Sequence, residues 1–340
     1  MKICIVGAGA IGGFIGTRLA ATGTPVSALA RGATLQALRQ HGWRLDSDDA
    51  ALRAQAPVAA ASDRAEALGV HDLVVIAVKG PALPGLAPQL APLIGPDTIV
   101  LPAMNGVPWW FCADQPAVPG GRLDSVDPGG AIQAAIPVAQ VLGGVVHAST
   151  ATPEPGRVQH RMGRGLIVGE PRGGTSARAE AVGARLRAAG FEVTVSADVR
   201  RDIWYKLWGN LTMNPISALT GVTIDRVLTD PLARDFCSAA MCEAAEVGAR
   251  IGCPIAQGPE ERHAITAKLG AFRTSMLQDV EAGRPIELDA IVTAVHEIGR
   301  HVGVATPSID ALLGLTRLFA RQRGLYPAAP TAAATATTPR

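Results

Sequence analysis

The pattern of apolar and polar positions changes character once along this chain, near residue 199. Before that point, short β-branched runs alternate with amphipathic or loop-like stretches; after it, apolar positions recur at helical spacing over longer segments. The clearest short runs are residues 2–6, 25–30, 72–79 and 98–102. Such runs, mostly apolar and bounded by turn residues, are how strands buried on both faces of a parallel sheet read. Separated by helix-like or loop segments, they give the βαβ alternation of a doubly wound sheet. Further strands are predicted around 143–147, 156–159, 166–169 and 191–196, with a helix over 176–189. Beyond residue 199 the spacing predicts helices over 202–219 (interrupted at Pro215), 231–251, 260–282 and 288–302.

The join between the first strand and the first helix carries chemistry. Gly7-Ala8-Gly9-Ala10-Ile11-Gly12 is a G-x-G-x-x-G turn set between a buried strand and an apolar stretch from Phe14 to Ala20. Gly7 suits the tight turn, Gly9 a close approach of backbone to phosphates, and Gly12 close packing of helix on strand. The helix N-terminus would then present its free N–H groups and positive dipole end to a pyrophosphate. A secretory signal is the competing reading of Lys2 and the apolar stretch after it, but a signal has no need of glycines at this spacing. The expectation is therefore an α/β chain: a Rossmann-type, dinucleotide-binding doubly wound sheet over 1–198, a second, all-helical domain over 199–326, and an Ala/Thr/Pro-rich disordered tail over 327–340.

Which dinucleotide depends on the end of the second strand. NAD-binding sheets usually carry an acidic residue about 20 residues past the glycines, where it accepts hydrogen bonds from the ribose. Here that place is taken by Arg31, and no acidic residue precedes Asp46. A guanidinium makes charge-assisted, often bidentate bonds to phosphate, so NADP(H) is expected.

Composition narrows the class further. At 340 residues the chain is long enough for two domains. A net charge of +2 with no dense basic block gives no sign of a nucleic-acid surface. Five cysteines, none in a C-x-x-C pair, suit a reducing cytoplasm rather than a disulfide framework. No uninterrupted apolar run reaches the length of about 18 residues that a membrane helix needs. His160, His263, His296 and His301 are spaced without a metal-ligand pattern, so no metal site is expected. The sequence leaves assembly open, and the helical domain could pair with a copy of itself as a homodimer.

Ligands in doubly wound sheets bind outside the carboxyl ends of the strands, where Lys79 and Asn105-Gly106 fall. In the helical half, Lys206, Asn210 and Asn214 stand at i, i+4 and i+8 and so share one helix face.

Taken together, these pieces resemble the ketopantoate reductase (2-dehydropantoate 2-reductase) family. The matching residues are Gly7 to Gly12, Ala30-Arg31, Val78-Lys79, Asn105-Gly106, the Trp204 to Pro215 helix, Thr274 to Asp279, and Gly283 to Asp289, in the family's order and spread over nearly the whole chain. The resemblance implies reduction of a 2-keto acid by NADPH, with Lys206 as the proton donor. Reducing a ketone does call for a cationic or acidic group beside the carbonyl oxygen. It further implies that Asn105, Asn210, Asn214 and Ser275 contact substrate, cofactor or the lysine, and that Glu287 contacts the substrate and supports catalysis. Lys79 is expected near the cofactor, and Asp279 is read as structural.

Two departures bear on the substrate. An asparagine expected three residues before Ser275 is replaced by Phe272, and Trp109-Trp110-Phe111 follows Asn105-Gly106. Both suggest a more apolar pocket next to the nicotinamide end. The leading expectation is reduction of ketopantoate to pantoate. The alternatives are reduction of a more hydrophobic 2-keto acid and, less favoured, a protein that binds NADPH without catalysis.

Overall fold

The computed structural model describes residues 1–328; the predicted tail lies outside the described residues from 329 onward. Ten strands are formed: β1 (Ile3–Val6), β2 (Val26–Leu29), β3 (Trp43–Ser47), β4 (Ala54–Ala56), β5 (Ala61–Ser62), β6 (His71–Ile76), β7 (Ile94–Pro102), β8 (Gly143–Glu154), β9 (Arg157–Gly169) and β10 (Glu192–Ser196). Five of them make a parallel sheet in the order β5-β2-β1-β6-β7. The chain builds outward from β1 through β2 to β5, then returns across β1 to β6, so the order reverses between β1 and β6. That reversal opens the crevice in which such sheets bind ligands.

Side chains alternate across this sheet as a two-residue period requires. Ile3, Ile5, Leu73 and Val75 face the first helix, Ala10–Ala20, through Phe14, Ile15 and Leu19. Cys4, Val6, Val74 and Ile76 face the opposite core, which holds Leu90, Trp109 and Trp110 and continues into the helical half through Trp204 and Trp208. The sheet is thus buried on both faces, and its strands read as mostly apolar runs for that reason.

A second, mixed sheet, β10-β9-β3-β4 with β8 paired to β9, lies over the outer side of the first helix. β9 is long enough to pair with β3 through its first residues and with β10 through its last. Three short strands, β3 and β4 here and β5 at the edge of the parallel sheet, have no counterpart in the sequence reading.

Among the described residues, every regular element from Val199 onward is a helix. The longest, Val199–Thr220, starts at Asp198, whose side chain accepts from Arg201 N, and stops at Gly221 in the left-handed conformation. It runs through Pro215 without the predicted interruption. Proline costs a helix interior about 3 kcal/mol, but Leu211, Thr212, Met213, Asn214 and Ile216 around it are all buried, and that packing holds the turn. The helix expected over 260–282 is two helices, Pro259–Ala267 and Ser275–Glu281. Gly270, with φ of +61°, interrupts it, and Thr274 caps the second piece. The helix expected over 288–302 begins as a π-type turn, Asp289–Thr293, and continues as Ala294–Val302. A final helix, Pro307–Gln322, was not anticipated.

Candidate active site

Gly7 has φ of +90°, and a Cβ there would lie 2.7 Å from Val78 Cγ1, so only glycine makes this turn. A Cβ on Gly12 would come within 2.9 Å of Ile5 on β1, which fixes the close helix–strand approach. A Cβ on Gly9 would meet no protein atom within 4 Å. Packing within the chain therefore does not demand glycine at position 9; a group approaching the backbone from outside would. The first helix has no side-chain cap and no acidic residue in its first turn. Its leading N–H groups are left available to an anion, as the pyrophosphate of a dinucleotide requires. Arg31 stands two residues beyond β2 at the same edge, exposed, and no described residue forms an ion pair with it.

Across the crevice, the face of the long helix carrying Lys206, Asn210 and Asn214 is brought to the carboxyl edge of the sheet, while Trp204 and Trp208 on other faces donate to Ala244 O and Met241 O of the neighbouring helix. Lys206 Nζ donates to Asn105 Oδ1 at 2.7 Å and to Val146 O at 2.6 Å. One ammonium is thus held by the loop after β7 and by β8. Burial lowers its pKa to about 8, the negative charge of Glu287 opposing the shift. At neutral pH it remains protonated yet is a far readier donor than an exposed lysine. The adjacent His147 is pushed down to about 4 by burial and by the charges of Lys206 and Arg262.

Gly106 explains how that loop stays in place. Its φ is +82°, a Cβ there would fall 2.6 Å from the Ala290 carbonyl carbon, and Val107 N donates to Ala290 O at 2.7 Å. The same segment presents Glu287, whose Oε1 accepts from Gly80 N at 3.1 Å. Burial raises the Glu287 carboxyl above its ordinary range, against the Gly80 N–H and the charges of Lys79 and Lys206.

Lys79 is engaged within the chain: it forms an ion pair with Asp279 and donates to Pro285 O at 3.4 Å. Asp279, only 8% exposed, also receives Arg284 Nε at 3.1 Å. Asp279 thus ties Lys79 to the Glu287 segment, a link that its sequence spacing did not reveal. Ser275 is exposed at the start of its helix, next to the cap Thr274, whose hydroxyl meets Ser217 of the long helix at 2.6 Å. Asn210 is partly buried and Asn214 buried, and no described residue hydrogen-bonds either side-chain amide.

The two departures have different outcomes. Phe272 is half-buried and packs against the cluster formed by Met213, Ile216, Ile224 and Leu312. Trp109, Trp110 and Phe111 are almost wholly buried and offer no exposed aromatic surface. Trp109 and Trp110 instead line a cavity of about 220 Å³ with Leu83, Val107 and Val126, and Asn105 and Glu287 are part of the same lining. The sequence pointed to the tryptophans as an apolar wall, but not to the partners from distant segments that close the cavity.

The histidines have local partners: His160 meets Ser47 Oγ and Gly163 O and stacks on Phe14, His263 meets Ser238, and His296 meets Asp310. Among the described residues no group of three or more His, Cys, Asp or Glu is placed to hold a metal, and no helix is long and apolar enough to cross a membrane.

A glycine turn at the switch point of a doubly wound sheet, faced by a half-buried lysine, fits a pyridine-nucleotide-dependent oxidoreductase. Comparison with known proteins gives the family. The family model described as ketopantoate reductase PanE/ApbA matches residues 3–173, and that of its C-terminal part matches residues 198–320. The 2-dehydropantoate 2-reductase of Mesorhizobium japonicum is 44% identical, over 96% of this chain and all of its own length. A provisionally named ketopantoate reductase from Ralstonia solanacearum MolK2, solved by crystallography, is 56% identical over 95% of this chain and 99% of that one, with a TM-score of 0.90. A 2-dehydropantoate 2-reductase from Geobacter metallireducens GS-15 superposes with a TM-score of 0.82 at 26% identity, covering 94% of this chain and 100% of that one. The chain belongs to the ketopantoate reductase family and is an oxidoreductase of that class.

Proposed function

We propose that this protein reduces ketopantoate to pantoate with NADPH, in the cytoplasm, with Lys206 as the proton donor. The observation that carries this reading is the Lys206 ammonium, held by Asn105 and Val146 and softened by burial to a pKa of about 8. In this reading residues 1–198 hold the cofactor and 199–326 complete the substrate site. Gly7 to Gly12 cradle the pyrophosphate, and Arg31 binds the 2′-phosphate that distinguishes NADPH from NADH. When bound, the cofactor supplies the hydride to the carbonyl carbon. Lys206 donates to the keto oxygen, stabilises the negative charge that develops there and passes its proton to it, leaving the alcohol.

Asn105 orients the lysine and, from the same loop, the reacting end of the cofactor. Asn210, Asn214 and Ser275 offer uncharged donors to the substrate without cancelling the ammonium. Glu287, fixed by Gly80 N, accepts from the substrate's hydroxyl end. Lys79, through Asp279, holds the cofactor-side loop against the Glu287 segment. A homodimer through the helical domain completes the reading; Leu232, Leu315 and Leu318, exposed on its helices, are the apolar positions such a contact would cover.

The test is NADPH consumption with ketopantoate by the wild type and by Lys206→Ala, which should lose turnover while keeping cofactor affinity. A second reading, reduction of a bulkier apolar 2-keto acid, is favoured by the cavity that Asn105 and Glu287 help to line. Relative kcat/KM across a panel of 2-keto acids separates the two.

A further inference from the structure

Arg262 was not among the residues singled out in the sequence, yet its surroundings are unusual. It lies on the helix Pro259–Ala267 and reaches over to the long helix, where a Cβ on Gly209 would sit 2.7 Å from its Nε. Its guanidinium lies 4.6 Å from the centroid of the Tyr205 ring, and Tyr205 is itself held by a hydrogen bond to Gln257 at 2.6 Å. Arg262 Nε is buried without a hydrogen-bond partner, and among the described residues no carboxylate pairs with the guanidinium. A buried N–H of a charged group left unpaired costs roughly 1–3 kcal/mol or more, so the position needs a reason.

The reason is supplied by its neighbours. Gly209 is three residues beyond Lys206, so the two positions are adjacent on the helix surface, about 5–6 Å apart. Gly209 also precedes Asn210. The charges of Arg262 and Lys206 both act on His147, which follows the carbonyl that Lys206 contacts. Two cations thus converge on one side of the crevice, and the carboxylate that acts on Lys206, Glu287, is anchored to Gly80 on the cofactor-side loop. An anionic ligand group would balance them.

We propose that Arg262 binds the carboxylate of the substrate and so sets a requirement for a 2-keto acid over a plain ketone or amide. The proposal rests on the keto-acid reading above. In a 2-keto acid the carboxyl carbon is bonded directly to the carbonyl carbon, so when the keto oxygen meets Lys206 the carboxylate lies beside it. The Arg262 guanidinium, resting on Gly209 one turn along from Lys206, is placed to take it with two parallel bonds. This also accounts for Phe272 being free to pack against Met213 and its neighbours: the carboxylate has a stronger partner elsewhere.

The experiment compares Arg262→Met and Arg262→Lys with the wild type, using ketopantoate, its 2-oxo amide, and oxalate as a non-reacting dicarboxylate probe. The expected result for Arg262→Met is a fall of about 100-fold in kcat/KM for the acid, mostly in KM, with the amide almost unchanged. Arg262→Lys should recover part of the loss, and NADPH affinity should stay the same in both. An acid-over-amide preference unchanged from wild type would overturn the proposal, as would a loss confined to NADPH binding. Calorimetric binding of oxalate to the NADP⁺ complex reads the same site without turnover. A wild type that reduces no 2-keto acid would refute the functional reading, and oxalate affinity unaltered in Arg262→Met would refute the carboxylate site separately.

Discussion

Replacing Lys206 by methionine removes the ammonium but keeps a chain of similar length, and its consequences for stability and for catalysis diverge. The drop from the ordinary lysine value to about 8 corresponds to about 3 kcal/mol held against the charged form in the folded protein. Methionine escapes that cost. Against it, Asn105 Oδ1 and Val146 O each lose a hydrogen bond, at roughly 1–3 kcal/mol apiece. The two effects nearly cancel, so the melting temperature of Lys206→Met should stay within a few degrees of wild type. Catalysis has no such compensation. Losing a proton donor and oxyanion stabiliser should lower kcat by about 10²- to 10⁴-fold, equivalent to roughly 3–5 kcal/mol of barrier. The assay is steady-state NADPH oxidation with ketopantoate, paired with calorimetric melting and NADPH titration. A variant that unfolds early, or one that retains more than a tenth of wild-type kcat, would refute the reasoning.

The same ammonium sets a pH dependence: only the protonated form donates, so kcat/KM should decline as pH rises through about 8. A profile that stays flat to pH 10 would exclude Lys206 as donor. Because the folded-state pKa is depressed, the unfolded chain binds this proton more tightly above pH 8, and the stability contributed by this residue should rise, not fall, between that value and the ordinary lysine range. Arg31→Ala should raise KM for NADPH by about 10- to 100-fold and leave NADH unaffected; equal loss for both would discard the 2′-phosphate assignment. Gly106→Ala should destabilise by at least about 2 kcal/mol in chemical denaturation, since it combines a disallowed φ with a collision against the Ala290 backbone. Glu287→Gln should keep the Gly80 hydrogen bond and the fold while kcat with ketopantoate falls by about 10-fold or more; unchanged kcat would remove Glu287 from the mechanism.

The parallel sheet was legible because β1, β2, β6 and β7 are buried on both faces and carry mostly apolar runs. The short strands β3, β4 and β5 were missed: Trp43-Arg44-Leu45-Asp46-Ser47 carries the alternation of a half-buried strand but over only five residues, and the other two are only three and two residues long. Pro215 misled because propensity is local, whereas the packing that holds its turn comes from other helices. The final helix did carry a start signal, Thr306 followed by Pro307 at its first position, but its apolar stripe is narrow and Leu315 and Leu318 face outward. At the site, the helical spacing of Lys206, Asn210 and Asn214 placed them on one face. Contacts that join distant segments left no local trace: Asp279 with Lys79, Ala290 with Gly106, and Arg262 with Gly209. The first two depend on where the two halves of the chain meet, the third on how two helices of the second half pack.

The most direct measurement is the stoichiometry of NADPH oxidised and pantoate formed when purified protein meets ketopantoate, run side by side for the wild type and Lys206→Met. One equivalent of pantoate per NADPH in the wild type, and at least 100-fold slower formation in a folded, NADPH-binding variant, is the expected result. NADPH oxidation without pantoate, or equal rates in the two proteins, would contradict the account.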